Sequence, residues 1–218
     1  MNHELESALE VIVVPRTHDL GDGFNVRRAR PSRQRRLVGP FVFFDQMGPD
    51  TFQSGRGLDV RPHPHIGLST VTYLLEGEIQ HRDSLGTNQL IRPGEVNWMT
   101  AGKGIVHSER TAAEQRAHES ALFGLQCWVA LPRSHEETDP SFLHYGASQL
   151  PLIEGDGATA RIISGSFFGQ ASPVPAASPM FYVDLHLQPG AQLTMPAEYA
   201  EQAVYVLDGI LDLGRDGR

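Results

Sequence analysis

RPHPHIGLSTVTYLLEGEIQHRDSLG, residues Arg61–Gly86, holds two strand-length segments and the turns that bound them. Ser69–Leu75 and Glu78–His81 are short and rich in β-branched, aromatic or aliphatic residues, while Glu76-Gly77 and Asp83-Ser-Leu-Gly86 are turn signals. The pattern continues on both sides. Glu10–Val14, Asn88–Ile91 and Leu125–Leu131 read as further strands, with turns expected at Leu20–Gly23, Met47-Gly-Pro49 and Arg92-Pro-Gly94. Strands this closely spaced, without intervening helical periodicity, imply an antiparallel sandwich or barrel. The 22 Gly and 15 Pro among 218 residues agree, because helix interiors tolerate neither well. The polar, proline-bracketed stretch Pro132–Pro140 (PRSHEETDP) reads as a linker, and Pro173–Pro179 (PVPAASP) as a second loop.

Composition excludes several classes of protein. A formal net charge of −8 argues against nucleic-acid binding, which depends on neutralising phosphates. Six of the ten residues Arg27–Arg36 are nonetheless arginine, and Lys103 is the only lysine. This run is either an anion-binding patch or a segment whose guanidinium groups pair with carboxylates of an acidic chain; the second reading is favoured. The single cysteine, Cys127, excludes an internal disulfide framework and a cysteine-rich zinc module, and its apolar neighbours mark it as an inert buried thiol. Apolar runs such as Val11–Val14 and Phe41–Phe44 are far shorter than a membrane span. The acidic start MNHELESALE is unlike a secretory signal, so a cytoplasmic protein is expected.

The chemistry lies in His63-Pro64-His65 and His107-Ser108-Glu109. Residues i and i+2 of a strand point to one face, so each motif can aim two ligands into one interior. If the strands converge, three neutral imidazoles and a carboxylate suit one divalent first-row metal with coordination positions left over. Iron(II) is the expected ion, because dioxygen and a substrate need such open positions; manganese, nickel, zinc, cobalt and copper also suit the donors.

The surroundings of these motifs resemble the cupin pattern. Gly57 is followed by five residues, then His63-Pro-His65, four more residues to Thr70, and six more to Gly77, with Thr70 where cupins usually carry a glutamate. Gly104-Ile-Val-His107 matches the end of the second cupin motif, and its acidic partner follows at Glu109. With VRRARPSRQRRLVGPFVFFDQMGP (Val26–Pro49) and IRPGEVNWMTAGKGIVHSER (Ile91–Arg110), the chain resembles the pirin family. That resemblance implies an all-β bicupin of two antiparallel jelly-roll barrels, with His63, His65, His107 and Glu109 as iron ligands in the first. Gln46 stands where the family commonly has histidine. The Arg-rich stretch belongs to the family pattern.

Val71–Ile79 (VTYLLEGEI) is echoed by Ala203–Leu211 (AVYVLDGIL) at an offset of 132 residues, which suggests two copies of one β-module. Residues 1–135 are expected to form the metal-binding barrel, and 136–218 a partial second barrel, because the second copy ends nine residues past Gly209. Met195 and Ala197 occupy the positions of His63 and His65 in that copy, so it is expected to be metal-free.

Two functions follow from the resemblance. One is dioxygenolytic ring cleavage of a flavonol or related planar phenolic substrate, of the quercetin 2,3-dioxygenase type, with Glu109 as both ligand and catalytic base. The other is an iron-binding protein that serves a transcription factor or metabolic enzyme as a partner, with Arg27–Arg36 as its contact surface. Of the other histidines, His81, His118, His135, His144 and His186 stand singly and are expected to take no catalytic part. Trp98 and Trp128 read as core residues.

Overall fold

A computed structural model of the chain describes residues 10–20 and 24–213. Its strands in chain order are β1 (Arg16–Asp19), β2 (Asn25–Arg30), β3 (Phe41–Phe52), β4 (Asp59–His65), β5 (Leu68–Glu76), β6 (Ile79–Asp83), β7 (Asn88–Ile91), β8 (Val96–Thr100), β9 (Ile105–Arg110), β10 (Ser120–Ala130), β11 (Ser141–Tyr145), β12 (Leu152–Gly155), β13 (Ala158–Phe167), β14 (Gln170–Ala171) and β15 (Phe181–Leu187). One four-residue helix, α1 (Ala113–Arg116), precedes β10. The all-β expectation holds, and every ladder between these strands is antiparallel.

Two sheets build the first half. The larger runs β1-β2-β3-β10-β5-β8-β11 and the smaller β4-β9-β6-β7. Val26, Met47, Leu74 and Leu122 of the large sheet pack against Ile79 and Ile91 of the small one. The outer face of the large sheet carries Val71, Tyr73, Trp98 and Cys127, which pack on Ile163, Val174 and Met180 from the second half. Both faces of the large sheet are therefore covered. That is why six consecutive residues of β5, Ser69–Leu74, are buried, with Thr70 and Thr72 on the face opposite Val71 and Tyr73.

Four expectations need correction. The first half is a sandwich, not a closed barrel: among the described residues the edge strands β4 and β7 of the small sheet form no ladder with the large one. Met47-Gly-Pro49 is not a turn. Gly48 adopts φ +70° inside β3, where the register with β10 slips between Leu122 and Gly124, so the glycine makes a bulge. Residues 203–211 are not a strand, since a strand needs a neighbour for its N–H and C=O groups and these residues have no ladder partner. They lie against the large sheet through side chains instead, with the Tyr205 ring tilted against Phe44 at 4.8 Å and its hydroxyl donating to Gln46 Oε1 at 2.7 Å. Glu10–Val14 is likewise irregular, and the turn expected at Leu20–Gly23 lies largely outside the described residues.

The second half contributes one four-stranded sheet, β12-β13-β14 with β15 also paired to β13. Met195 packs in its apolar cluster with Phe181 and Leu185 around Ile162. Pro132–Pro140, read from sequence as a linker, is an exposed turn segment, and β11 beyond it pairs with β8 in the large sheet.

Gly77, between β5 and β6, has φ +81°, and a Cβ there would collide with the carbonyl oxygen of Ala121. Gly77→Ala should therefore destabilise the protein by about 2–4 kcal/mol, read as a lowered denaturant midpoint.

Arg28 and Arg35 of the Arg-rich run are tied within the molecule. Arg28 donates Nε and Nη2 to the Asp45 carboxylate at 2.9 and 2.8 Å, and its guanidinium lies 4.5 Å over the Phe43 ring. Arg35 pairs with Glu10 and Glu201. Because the Asp45 side chain is only 4% exposed, Arg28→Ala should cost about 3 kcal/mol by leaving a buried carboxylate without its partner. Replacing the exposed Arg33 by Ala should change stability by less than about 0.5 kcal/mol. Thermal melts of the two variants make this comparison.

Candidate metal centre

β9 lies at the middle of the site because it is flanked on both sides within the small sheet. On one side, register pairs His63 of β4 with His107. On the other, His81 of β6 faces Glu109 and Asp83 faces His107. The period-2 alternation of each strand then turns His63, His65, His107, Glu109, His81 and Asp83 toward the large sheet.

His63, His65 and His107 bring their ligating nitrogens within 4.8 Å of one another. His107 Nε2 stands 3.1 Å from His65 Nε2 and 3.1 Å from His63 Nε2. For metal–nitrogen bonds of about 2.1 Å, ligands at right angles are about 3.0 Å apart and tetrahedral ones about 3.4 Å. The spacing thus fits two right-angled neighbours in an octahedral shell, which leaves positions for further ligands. His63 Nδ1–H donates to the Arg61 carbonyl at 2.8 Å, so its Nε2 keeps a free lone pair for a metal.

Glu109 is placed beside this trio and belongs to a second group with His81 and His107, again within 4.8 Å. Its carboxylate crosses to the large sheet, where it accepts the Thr72 hydroxyl at 2.9 Å and the Gln126 amide at 2.5 Å. Burial alone would raise its pKa, but His107, Gln126, His81 and Thr72 outweigh this and hold the carboxyl below its ordinary range. Burial pushes His65 down to about 4, helped by neighbouring His63 and opposed by Glu109. Burial also pushes His107 down to about 4, with Glu109 again opposing. Both rings are therefore neutral near pH 7, as metal ligation requires.

Above His63 and His65 opens a cleft of about 600 Å³ walled by Ile66, Leu68, Ile105, Val106 and Trp128. This volume is in the range of small-molecule sites. Trp128, read from sequence as core, lines that cleft. It stacks on Phe43 at 4.1 Å and meets the edge of His65 at 5.1 Å. Trp98 and Cys127 are buried as expected, and burial drives the Cys127 thiol far up. Lys103 and Arg110 do not line the cleft; they pair with Asp139 and Asp59.

His81 is the residue that the sequence reading missed. Its side chain is 2% exposed, its Nε2 lies 3.0 Å from Asp83 Oδ2, and its Nδ1 lies 3.4 Å from His107 Nδ1. The signal was present as His81-Arg82-Asp83, an i, i+2 pair of the same form as the two ligand motifs.

The family model described as Pirin matches residues 23–129. A pirin-like protein of Caulobacter vibrioides is 52% identical over 96% of this chain and 73% of its own length. Human pirin is 35% identical over 94% of this chain and 68% of its own. Among solved structures, a quercetin 2,3-dioxygenase from Acinetobacter baumannii superposes with a TM-score of 0.75 at 44% identity. That superposition covers 80% of this chain and 56% of the Acinetobacter chain, so this chain spans little more than half of that protein.

Proposed function

Because this chain belongs to the pirin family of cupin proteins, we propose that it is a metal-dependent oxygenase that opens the ring of a flavonol or similar planar phenolic with dioxygen, as a quercetin 2,3-dioxygenase does. The observation that carries the reading is the meeting of three histidine Nε2 atoms beside a largely apolar cleft that His63 and His65 line. His63, His65, His107 and Glu109 would hold the ion, with iron(II) the proposed metal. Bound there, a divalent metal supplies Lewis acidity that lowers the pKa of a substrate hydroxyl and, as iron, reactivity toward dioxygen.

The protein's own part is orientation and proton transfer. Trp128 offers a flat apolar wall against which an aromatic ring aligns, with Ile66 and Val106 as further apolar contacts. Glu109 accepts the substrate's hydroxyl proton on a carboxylate oxygen. Thr72 and Gln126 anchor that carboxylate from the opposite sheet, so it cannot swing away as charge develops. The partner-binding alternative was to use Arg27–Arg36, and the ties of Arg28 and Arg35 to Asp45, Glu10 and Glu201 weaken that surface.

Anaerobic loading with iron(II), metal analysis and oxygen-uptake assays across a panel of flavonols and simpler phenols test the proposal. About one metal per chain and oxygen consumption with flavonol-type substrates are expected. A fully iron-loaded protein that consumes no oxygen with any of them would overturn the enzyme reading.

A further inference from the structure

We propose that Asp83 and His81 are positioning residues that fix the tautomer and orientation of His107, through the chain Asp83 carboxylate, His81 imidazole, His107 imidazole. The proposal rests on the reading of His107 as a metal ligand. Asp83 and His81 have side chains 0% and 2% exposed, so a hydrogen bond left unmade between them has no water to replace it. Asp83 Oδ1 accepts the backbone N–H groups of Leu85 and Thr87 at 2.9 and 3.1 Å, which clamps the carboxylate in the turn after β6. Its Oδ2 faces His81 Nε2 at 3.0 Å.

The order of donors follows from the chemistry of each group. An ionised carboxylate only accepts, so His81 carries its proton on Nε2 and donates it to Asp83. The imidazole tautomer with its proton on Nε2 has its lone pair at Nδ1. His107 Nδ1, 3.4 Å away, must supply the proton between the two rings. With its proton on Nδ1, His107 presents a lone pair at Nε2, the atom that stands 3.1 Å from both His63 Nε2 and His65 Nε2. The ring of His81 is held flat against Phe142 of β11 at 4.4 Å and 26°, so the donor chain is fixed in orientation as well as in order. His63 has a simpler version of the same arrangement, with the Arg61 carbonyl as acceptor. Partners of this kind set ligand basicity and ring angle.

The first measurement is the nitrogen spectrum of histidine-labelled, metal-free protein, which needs neither metal nor activity. His107 should show a protonated Nδ1 and an unprotonated Nε2. The second is metal affinity by competition with a chelator. His81→Phe keeps the stack on Phe142 but offers no acceptor. It should give His107 a mixed tautomer and weaken metal binding by roughly 10- to 100-fold. His81→Asn returns an acceptor near the old Nδ1 position and should recover most of that loss. A proton on His107 Nε2 in the wild type, or an unchanged His107 spectrum in His81→Phe, would overturn the proposal. So would binding of a second metal equivalent that His81→Phe abolishes, because His81 would then be a ligand. A wild-type protein with the expected tautomer but no metal affinity would instead defeat the metal-centre reading and leave the hydrogen-bond chain standing.

Discussion

Replacing His107 by Ala is expected to abolish metal retention: affinity should fall by more than about 100-fold, and the dialysed protein should hold almost no iron. His107 is the common member of both clusters. Its Nε2 is 3.1 Å from the other two histidine nitrogens, and its Nδ1 faces His81. His63 sits at the partly exposed rim, where water can take over a vacated position, whereas His107 is 2% exposed. Ala at 107 thus removes a ligand from the buried floor and leaves His81 without its neighbour. Metal content measured after dialysis, with Arg33→Ala as the control, decides the matter. Stoichiometric iron in His107→Ala would remove the basis for the metal centre at these residues.

Replacing Glu109 by Gln should preserve the fold and much of the metal while lowering oxygenase turnover by roughly 10²–10⁴-fold, the usual worth of a positioned general base. The amide can satisfy both of the carboxylate's present partners. Its oxygen accepts from Gln126, and its NH2 donates to the Thr72 oxygen, whose hydroxyl turns elsewhere. One oxygen donor remains for a metal, but the charge and the basicity are gone. Metal analysis and oxygen uptake on the same preparation separate the roles. Full metal with near-normal turnover would make Glu109 a ligand only; loss of metal together with turnover would show that its charge is needed to hold the ion.

The ligand motifs were legible because they are local. His63 and His65, like His107 and Glu109, lie two positions apart with one residue between them, and a strand must place such pairs on one face whatever it packs against. The strands from Ser69 to Ile91 were legible for the same reason, since β-branched runs between glycine turns need no distant information. Gln126 and Thr72 were not: each looks like an ordinary strand residue until β5 and β10 are placed opposite β9. Trp128 looked like core because its neighbours Cys127 and Val129 are apolar, and only the packing of the sheets shows that its own face borders the cleft.

By itself, then, the sequence determined the all-β class, the two i, i+2 ligand pairs and the resemblance to pirins, all of which depend on spacing along one stretch of chain. The tertiary structure alone decided which strands flank β9, and therefore that His81 and Asp83 stand beside His107 and that Glu109 is gripped from the opposite sheet. It also decided that residues 203–211, strand-like in pattern, form no strand. The physical reason is common to these cases. Strand pairing and register are set by which distant backbone groups and side-chain faces satisfy one another, a condition that no single segment carries.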